Sequence, residues 1–373
     1  MTGPRYTDIV AALPADVPFV GPEGMERDQG FPFAARIGAN ENNFGPSPRA
    51  AEAMARAASD VWKYADATNL ELRVALAARM GCGPDQVIVG SGIDGLLGNL
   101  VRMVVAPGDA VVTTDGAYPT FNYHVNGFGG VLHKVPFRAD DREDPDVLLA
   151  RAAETGAKLV YLSNPDNPMG SHHPAAAVRD MVDRMPEGTL MILDEAYVEF
   201  APEGTAPEID PEDPRVIRFR TFSKAYGMAG ARVGYGVGAR DLIRTFDKVR
   251  DHFGMNRPAQ AGAVAALGDD AWLDRVRAEV AAARARIGTI ARANGLAPLP
   301  SATNFVTVDC GRDGTFARAV LKALLARGIF VRMPFSAPQD RCIRLSCGTS
   351  PELDALEAAL PEALAEARGA ETV

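Results

Sequence analysis

Lys224 stands in the run Thr221-Phe222-Ser223-Lys224-Ala225-Tyr226-Gly227-Met228-Ala229-Gly230-Ala231-Arg232, with two hydroxyl residues just before it and an arginine eight residues after it. A lysine amine becomes a nucleophile toward a carbonyl when its surroundings lower its pKa. Thr221 and Ser223 offer hydroxyls and Arg232 a planar, two-pronged cation, a set able to hold a phosphate beside the amine. Thirty residues upstream, Leu190-Met191-Ile192-Leu193-Asp194-Glu195-Ala196-Tyr197 is an apolar run that ends in a carboxylate. That is the pattern of a buried parallel strand whose C-terminal end faces a site.

A cofactor that needs a phosphate anchor, an amine and an acid beside a ring nitrogen is pyridoxal 5′-phosphate. Asp194 suits the place beside the ring nitrogen, and Tyr197 suits a phenol bonded to the ring's 3′-oxygen. A third segment, Asn164-Pro165-Asp166-Asn167-Pro168-Met169-Gly170, follows the strand-like Lys158–Leu162 run. Its two Asx-Pro steps enforce extended or turn backbone, which can present the Asn167 amide to the same ring oxygen. A fourth, Val87-Ile88-Val89-Gly90-Ser91-Gly92-Ile93-Asp94-Gly95-Leu96-Leu97, reads as strand, glycine turn and helix. Ser91 and the backbone N–H groups of Gly92 and Ile93 at that helix start would meet a phosphate. Gly90, Gly92 and Gly95 also match the dinucleotide fingerprint, and Val111–Asp115 supplies a following strand that ends in an acid. Nothing else in the chain asks for a nicotinamide, whereas three separate motifs ask for pyridoxal phosphate.

The lysine run, continued to Tyr235, together with the Asp194–Tyr197 and Asn164–Gly170 segments, resembles the class I/II, fold-type I aminotransferases position by position. Their histidinol-phosphate aminotransferase branch is the most similar, through Gly38–Pro48 (N-E-N-N-F-G-P-S-P from Asn40), Lys63-Tyr64-Ala65-Asp66, Asp194–Phe200 and Arg344–Thr349. The likeness covers nearly the whole chain. It implies that Tyr64 reaches across a homodimer interface to the partner's cofactor phosphate, so that active sites are shared, and that Tyr118 stacks on the pyridine ring. It also implies that Arg344 grips a substrate carboxylate through its bidentate guanidinium, with Asn42 and Arg332 also at the substrate. Phe19 stands where the branch carries a tyrosine hydroxyl near the substrate phosphate. Phe19, with Trp62 near the expected mouth, favours an aromatic or other apolar amino donor over histidinol phosphate, by a margin set by how far Arg257 compensates. His252, near Arg257, is expected at the pocket rim.

The chain has 373 residues, enough for two packed lobes. A net charge of −9 argues against nucleic-acid or anionic-membrane partners. The apolar runs are too short and interrupted to span a bilayer, and residues 1–30 carry no secretory pattern. Cys82, Cys310, Cys342 and Cys347 are scattered, as expected of reduced cytoplasmic thiols. No metal site is expected, and His172-His173 is expected in a solvated loop.

The elements that must position these residues alternate. Strand-like runs at Val87–Val89, Ala110–Thr113, Val131–Val135, Leu159–Leu162, Leu190–Leu193, Val216–Arg220 and Val233–Val237 are separated by helix-length segments. They predict an α/β large domain whose mostly parallel seven-stranded sheet is covered by helices. After a long Ala/Arg-rich helix over 274–293, short runs at Phe305–Val308, Phe330–Arg332 and Cys342–Ser346 alternate with helices over 315–327 and 352–367. That change of rhythm predicts a smaller α+β domain. The expected division is 38–260 for the cofactor domain, with 1–37 and 261–373 forming the small one.

The resulting expectation is a pyridoxal-phosphate aminotransferase acting on an amino acid and a 2-oxo acid by a ping-pong route. In it, Lys224 shuttles a proton at the substrate Cα. Histidinol-phosphate transamination is the alternative, and a decarboxylase or racemase on the same scaffold is another. A DNA-reading regulator with an aminotransferase-like domain is disfavoured by the intact lysine and the short segment before Asn40.

Overall fold

The computed structural model describes residues 3–15 and 20–369. Among these, twelve strands form three sheets. The first, β1 (Ala35–Arg36), lies outside the main sheet, which contains β2 (Val87–Gly90), β3 (Ala110–Thr114), β4 (Val131–Val135), β5 (Leu159–Ser163), β6 (Leu190–Asp194), β7 (Val216–Thr221) and β8 (Gly234–Val237). Their order is β2-β8-β7-β6-β5-β3-β4. All neighbours are parallel except at β8, which runs antiparallel to both β2 and β7. Each expected strand of this sheet is present to within a residue at either end.

The uninterrupted apolar strands follow from burial on both faces. Tyr161 and Ile192 pack into one core with Leu96, Leu100 and Phe219, whereas Val160, Leu162, Met191 and Leu193 pack into another with Leu148 and Met181. Successive side chains point to opposite faces, so a strand covered on both sides must be apolar throughout. The register pairs Ser163 with Asp194 and Asp194 with Phe219. The C-terminal ends of β5, β6 and β7 therefore share one edge, the edge where an open α/β sheet offers its crevice.

Beyond the helices Arg257–Leu267 and Asp270–Ala293, a three-stranded antiparallel sheet is formed by β9 (Ala297–Pro298), β10 (Phe305–Asp309) and β12 (Cys342–Ser346), in the order β12-β10-β9. The expected strand at Phe330–Arg332 is shorter. It is β11 (Ile329–Phe330), parallel to β1, after which Arg332 makes an isolated bridge to Arg344. This places the segment leading to Asn40 against the C-terminal third of the chain. One core cluster joins Ile37, Leu72 and Phe222 to Val276, Phe305 and Leu356, so the main sheet's helices and the second lobe share packing. His173 departs from the expected solvated loop: it is buried, and its ring nitrogen bonds the Glu143 carbonyl at 2.9 Å.

Candidate active site

The edge of β5, β6 and β7 opens into a cavity of about 600 Å³. Lys224, Asp194, Tyr197, Asn167, Tyr118, Arg232, Arg332 and Arg344 all line it, with Ile93, Thr221 and Ser223. Residues far apart in sequence are thus brought together by the strand ends and by the bridge between Arg332 and Arg344.

Lys224 follows β7 in a tight turn, and its Nζ donates to the Asn40 carbonyl at 2.8 Å. Its place in the cavity wall, then the Arg344 charge, lower the amine pKa to about 8. Near neutrality a useful fraction is therefore unprotonated. Asp194 ends β6 and is buried. One oxygen accepts the Tyr161 hydroxyl at 2.7 Å, and the other accepts the Ala196 N–H at 2.9 Å. Burial outweighs these donors and raises its pKa to about 6. The next residue shows the opposite outcome. Burial would also raise Glu195, but Arg220 and Arg218, with contacts of 2.8 Å each, hold it below its ordinary range. Adjacent acids thus differ in setting: Glu195 is neutralised within the fold by two arginines, while Asp194 lines the cavity with neutral hydrogen-bond donors and only the more distant Lys224 charge to offset its own.

The phosphate end is built from two chain reversals. Ser223 Oγ accepts from Thr221 Oγ1 at 2.9 Å and from Arg232 Nη1 at 3.3 Å. Arg232 adopts a φ of 56°, and Gly92, first residue of the helix Gly92–Val104, a φ of 79°. A Cβ on Gly92 would stand 2.2 Å from Arg232 Nη2, so only glycine lets the guanidinium lie over the helix start. There the N–H groups lack intrahelical acceptors and the helix dipole favours an anion.

On the opposite wall, Arg344 Nη1 donates to Asn167 Oδ1 at 2.5 Å and Nη2 to the Gly38 carbonyl at 3.3 Å. Its Nε has no partner, and burial lowers its pKa to about 10. Burial lowers the Arg332 pKa as well. A buried, unmatched arginine N–H at a cavity wall is a place made for an anion. With Asn167 Oδ1 engaged by Arg344, its NH₂ is left to donate to an acceptor in the cavity. Tyr118 also lines the cavity, and burial pushes its phenol up to about 12, so it stays neutral.

The residues present fit pyridoxal phosphate. The Gly92–Arg232–Ser223 cradle suits its phosphate, Asp194 its ring nitrogen, the Asn167 and Tyr197 donors its ring oxygen, and the Lys224 amine its aldehyde.

Other expected residues lie elsewhere. Asn42 does not line the cavity; its amide donates to the Ala225 carbonyl at 3.1 Å and accepts the Phe44 N–H at 3.0 Å, fixing the turn beside the lysine loop. Ser91 is exposed and outside the cavity wall. Tyr64 is 77% exposed, its ring 4.6 Å from that of Phe253 and tilted 37° to it, outside the lining of this chain's cavity. Arg257 bonds the Tyr64 carbonyl at 2.5 Å, and neither it nor His252 reaches the wall. Phe19 lies outside the described residues. Among the lining residues that the sequence did not single out are Asn40 and Tyr161, both bonded to expected site residues. Asn40 sat in plain view in the Asn40-Glu41-Asn42 run, but nothing in that string says which asparagine turns inward. Tyr161 reads as one more apolar strand position.

The family model for aminotransferase class I and II matches residues 35–360. A histidinol-phosphate aminotransferase of Moorella thermoacetica is 33% identical over 98% of this chain and 94% of its own length. One from an Anaeromyxobacter species is 36% identical over 94% and 96%. The crystal structure of histidinol-phosphate aminotransferase from Sinorhizobium meliloti in complex with pyridoxal-5′-phosphate superposes with a TM-score of 0.94, at 52% identity and over 98% of both chains.

Proposed function

The chain belongs to the class I and II aminotransferases, and from that premise we propose that it is a pyridoxal-phosphate-dependent histidinol-phosphate aminotransferase, transferring the amino group to a 2-oxo acid. The observation that carries the donor is the 52% identity, across 98% of both chains, to a histidinol-phosphate aminotransferase structure holding the cofactor. This replaces the expected preference for an aromatic or apolar donor. That preference rested on Phe19, which lies outside the described residues.

Pyridoxal phosphate, when bound, supplies the sink for the electrons of a broken Cα–H bond. The chain supplies everything else. Gly92, Ile93, Thr221, Ser223 and Arg232 would hold its phosphate, Tyr118 would lie against the ring, and Asp194 would sustain a positive charge at the ring nitrogen. Lys224, its pKa lowered to about 8, takes the proton from the substrate Cα and holds it for return, from a position that spares it any diffusional search. Arg344 and Arg332 receive the substrate's anion, a phosphate on the donor and a carboxylate on the acceptor. Because both use one cavity, donor and acceptor enter in turn and the kinetics are ping-pong.

The proposal includes the division of the chain into a cofactor domain (38–260) and a small domain (1–37 with 261–373). It also includes a homodimer. Val61, Trp62, Tyr64, Leu70 and Val74 are exposed within one stretch of the sequence, and the exposed Phe253 ring lies 4.6 Å from that of Tyr64, an apolar surface suited to a second copy. Tyr64, unused by its own chain's cavity, would serve the partner's. A cytoplasmic location accords with four unpaired cysteines, and no described helix is long and apolar enough to cross a membrane.

The test compares kcat/KM for histidinol phosphate, phenylalanine, tyrosine and an aliphatic amino acid on one preparation, with products identified. Histidinol phosphate is expected to lead by more than tenfold and to give the oxo product. A lead for phenylalanine would overturn the donor, and release of CO₂ or of the opposite enantiomer would overturn transamination.

A further inference from the structure

Asn40 lines the cavity and touches Lys224 with its backbone and Tyr197 with its side chain. It is 2% exposed and holds a φ of 54°, left-handed backbone that asparagine tolerates better than most residues. Its carbonyl accepts Lys224 Nζ at 2.8 Å and Asn304 Nδ2 at 3.1 Å. Its Nδ2 donates to Tyr197 Oη at 3.1 Å. Its N–H donates to Ser346 Oγ at 2.9 Å, and that hydroxyl donates back to Asn40 Oδ1 at 3.2 Å.

These bonds leave little choice of direction. Ser346 Oγ already accepts the Asn40 N–H, so its own hydrogen goes to Asn40 Oδ1. The amide oxygen is thereby fixed toward Ser346, and the NH₂ toward Tyr197. Tyr197 Oη, accepting from that NH₂, has its own hydrogen left for another acceptor. Phe305 meets the Tyr197 ring edge-on at 5.4 Å, and a phenol hydrogen prefers the ring plane, on the side away from the Asn40 amide. The remaining direction is the cavity that Tyr197 lines.

We propose that Asn40 is a positioning residue, set by Ser346 at the end of β12, that aims the Tyr197 hydroxyl hydrogen into the cavity at the cofactor's ring oxygen. The proposal rests on the reading of Tyr197 as the donor to that oxygen. Asn40 thereby couples the C-terminal sheet to both Lys224 and Tyr197, so that a carbonyl and an amide of one residue set a base and a phenol together.

The decisive variant is Asn40→Asp. It keeps the shape and tolerates the same φ, and it can still accept from Ser346. Its carboxylate accepts where the amide donated, so the Tyr197 hydrogen turns away from the cavity. Asn40→Asp should therefore reproduce Tyr197→Phe. Both should bind pyridoxal phosphate roughly 10- to 100-fold more weakly and shift the visible absorption maximum of the holoenzyme in the same direction at fixed pH. The double variant should be no worse than Tyr197→Phe, because each change removes the same bond. Ser346→Ala, which frees the amide to rotate, should show part of the shift, and it stands in if Asn40→Asp does not fold. Wild-type affinity and absorption in Tyr197→Phe would overturn the reading of Tyr197 itself. An effect in Tyr197→Phe with none in Asn40→Asp and Ser346→Ala, or additive losses in the double variant, would overturn the role of Asn40.

Discussion

Replacing Asp194 by asparagine should destroy activity and stabilise the cofactor-free protein, both for the same reason. In that state the carboxylate is buried with two neutral donors and no cation within bonding distance among its hydrogen-bond partners, and burial raises its pKa from 3.8 to about 6. An acid with a higher pKa folded than unfolded holds more protons in the folded state between those values. Stability accordingly falls as pH rises through that window, and the full penalty is present above pH 6. At 1.36 kcal/mol per pKa unit the penalty is on the order of 3 kcal/mol. Asparagine cannot ionise and avoids it, but its NH₂ faces either the Tyr161 hydroxyl or the Ala196 N–H, losing about 1 kcal/mol. The apo variant should thus be roughly 1–2 kcal/mol more stable than apo wild type at pH 8, and about 1 kcal/mol less stable near pH 4. Glu143, which burial raises to about 7, is also pushed up by the Asp194 charge, so its own penalty shrinks in the variant and adds to the gain at pH 8. Urea unfolding of both apoproteins at pH 4.5, 6 and 8, at equal concentration, measures this. Turnover of the loaded variant should fall by about 10²-fold or more. A stability difference that does not change with pH would refute the reasoning, as would near-normal turnover.

Further outcomes follow from the same geometry. Lys224→Ala should fold, bind pyridoxal phosphate loosely and turn nothing over, checked by cofactor titration and activity on one preparation. Gly92→Ala places a methyl group 2.2 Å from Arg232 Nη2 at a φ of 79°; it should lose about 1–2 kcal/mol of stability and bind cofactor and free phosphate more weakly, whereas unchanged affinity would dismiss the cradle. Arg344→Lys cannot span Asn167 and the Gly38 carbonyl with one ammonium, so KM for the 2-oxo acid should rise about tenfold or more with a smaller change in kcat. Tyr161→Phe keeps the 4.9 Å stack on Phe121 but removes the donor to Asp194; the Asp194 pKa should rise further and the acidic limb of the kcat profile should move to higher pH.

What could be read from the sequence depended on how local its cause is. The strand and helix pattern was legible because burial on both sheet faces forces unbroken apolar runs such as Leu190–Leu193, and the C-terminal strand edge follows from parallel pairing. Lys224, Asp194, Asn167 and Arg232 were legible because each sits in a short segment whose local backbone demands are visible: a strand end, an Asx-Pro turn, a hydroxyl-flanked lysine. The residues that were missed, or expected in the wrong place, depend on contacts between distant segments. Asn40 and Asn42 are the same residue type two positions apart. Only the left-handed turn at Asn40 and its bond to Ser346, 306 positions away, decide that Asn40 meets the cavity while Asn42 turns to Ala225. Tyr161 is likewise read as core from its strand, because its hydroxyl finds Asp194 only once β5 and β6 are in register. The proposed catalytic groups are thus written in local segments, and the residues proposed to aim them are written in the pairing of segments. It follows that substitutions at the aiming positions should alter cofactor binding and pH response while leaving the local motifs, and any resemblance based on them, untouched.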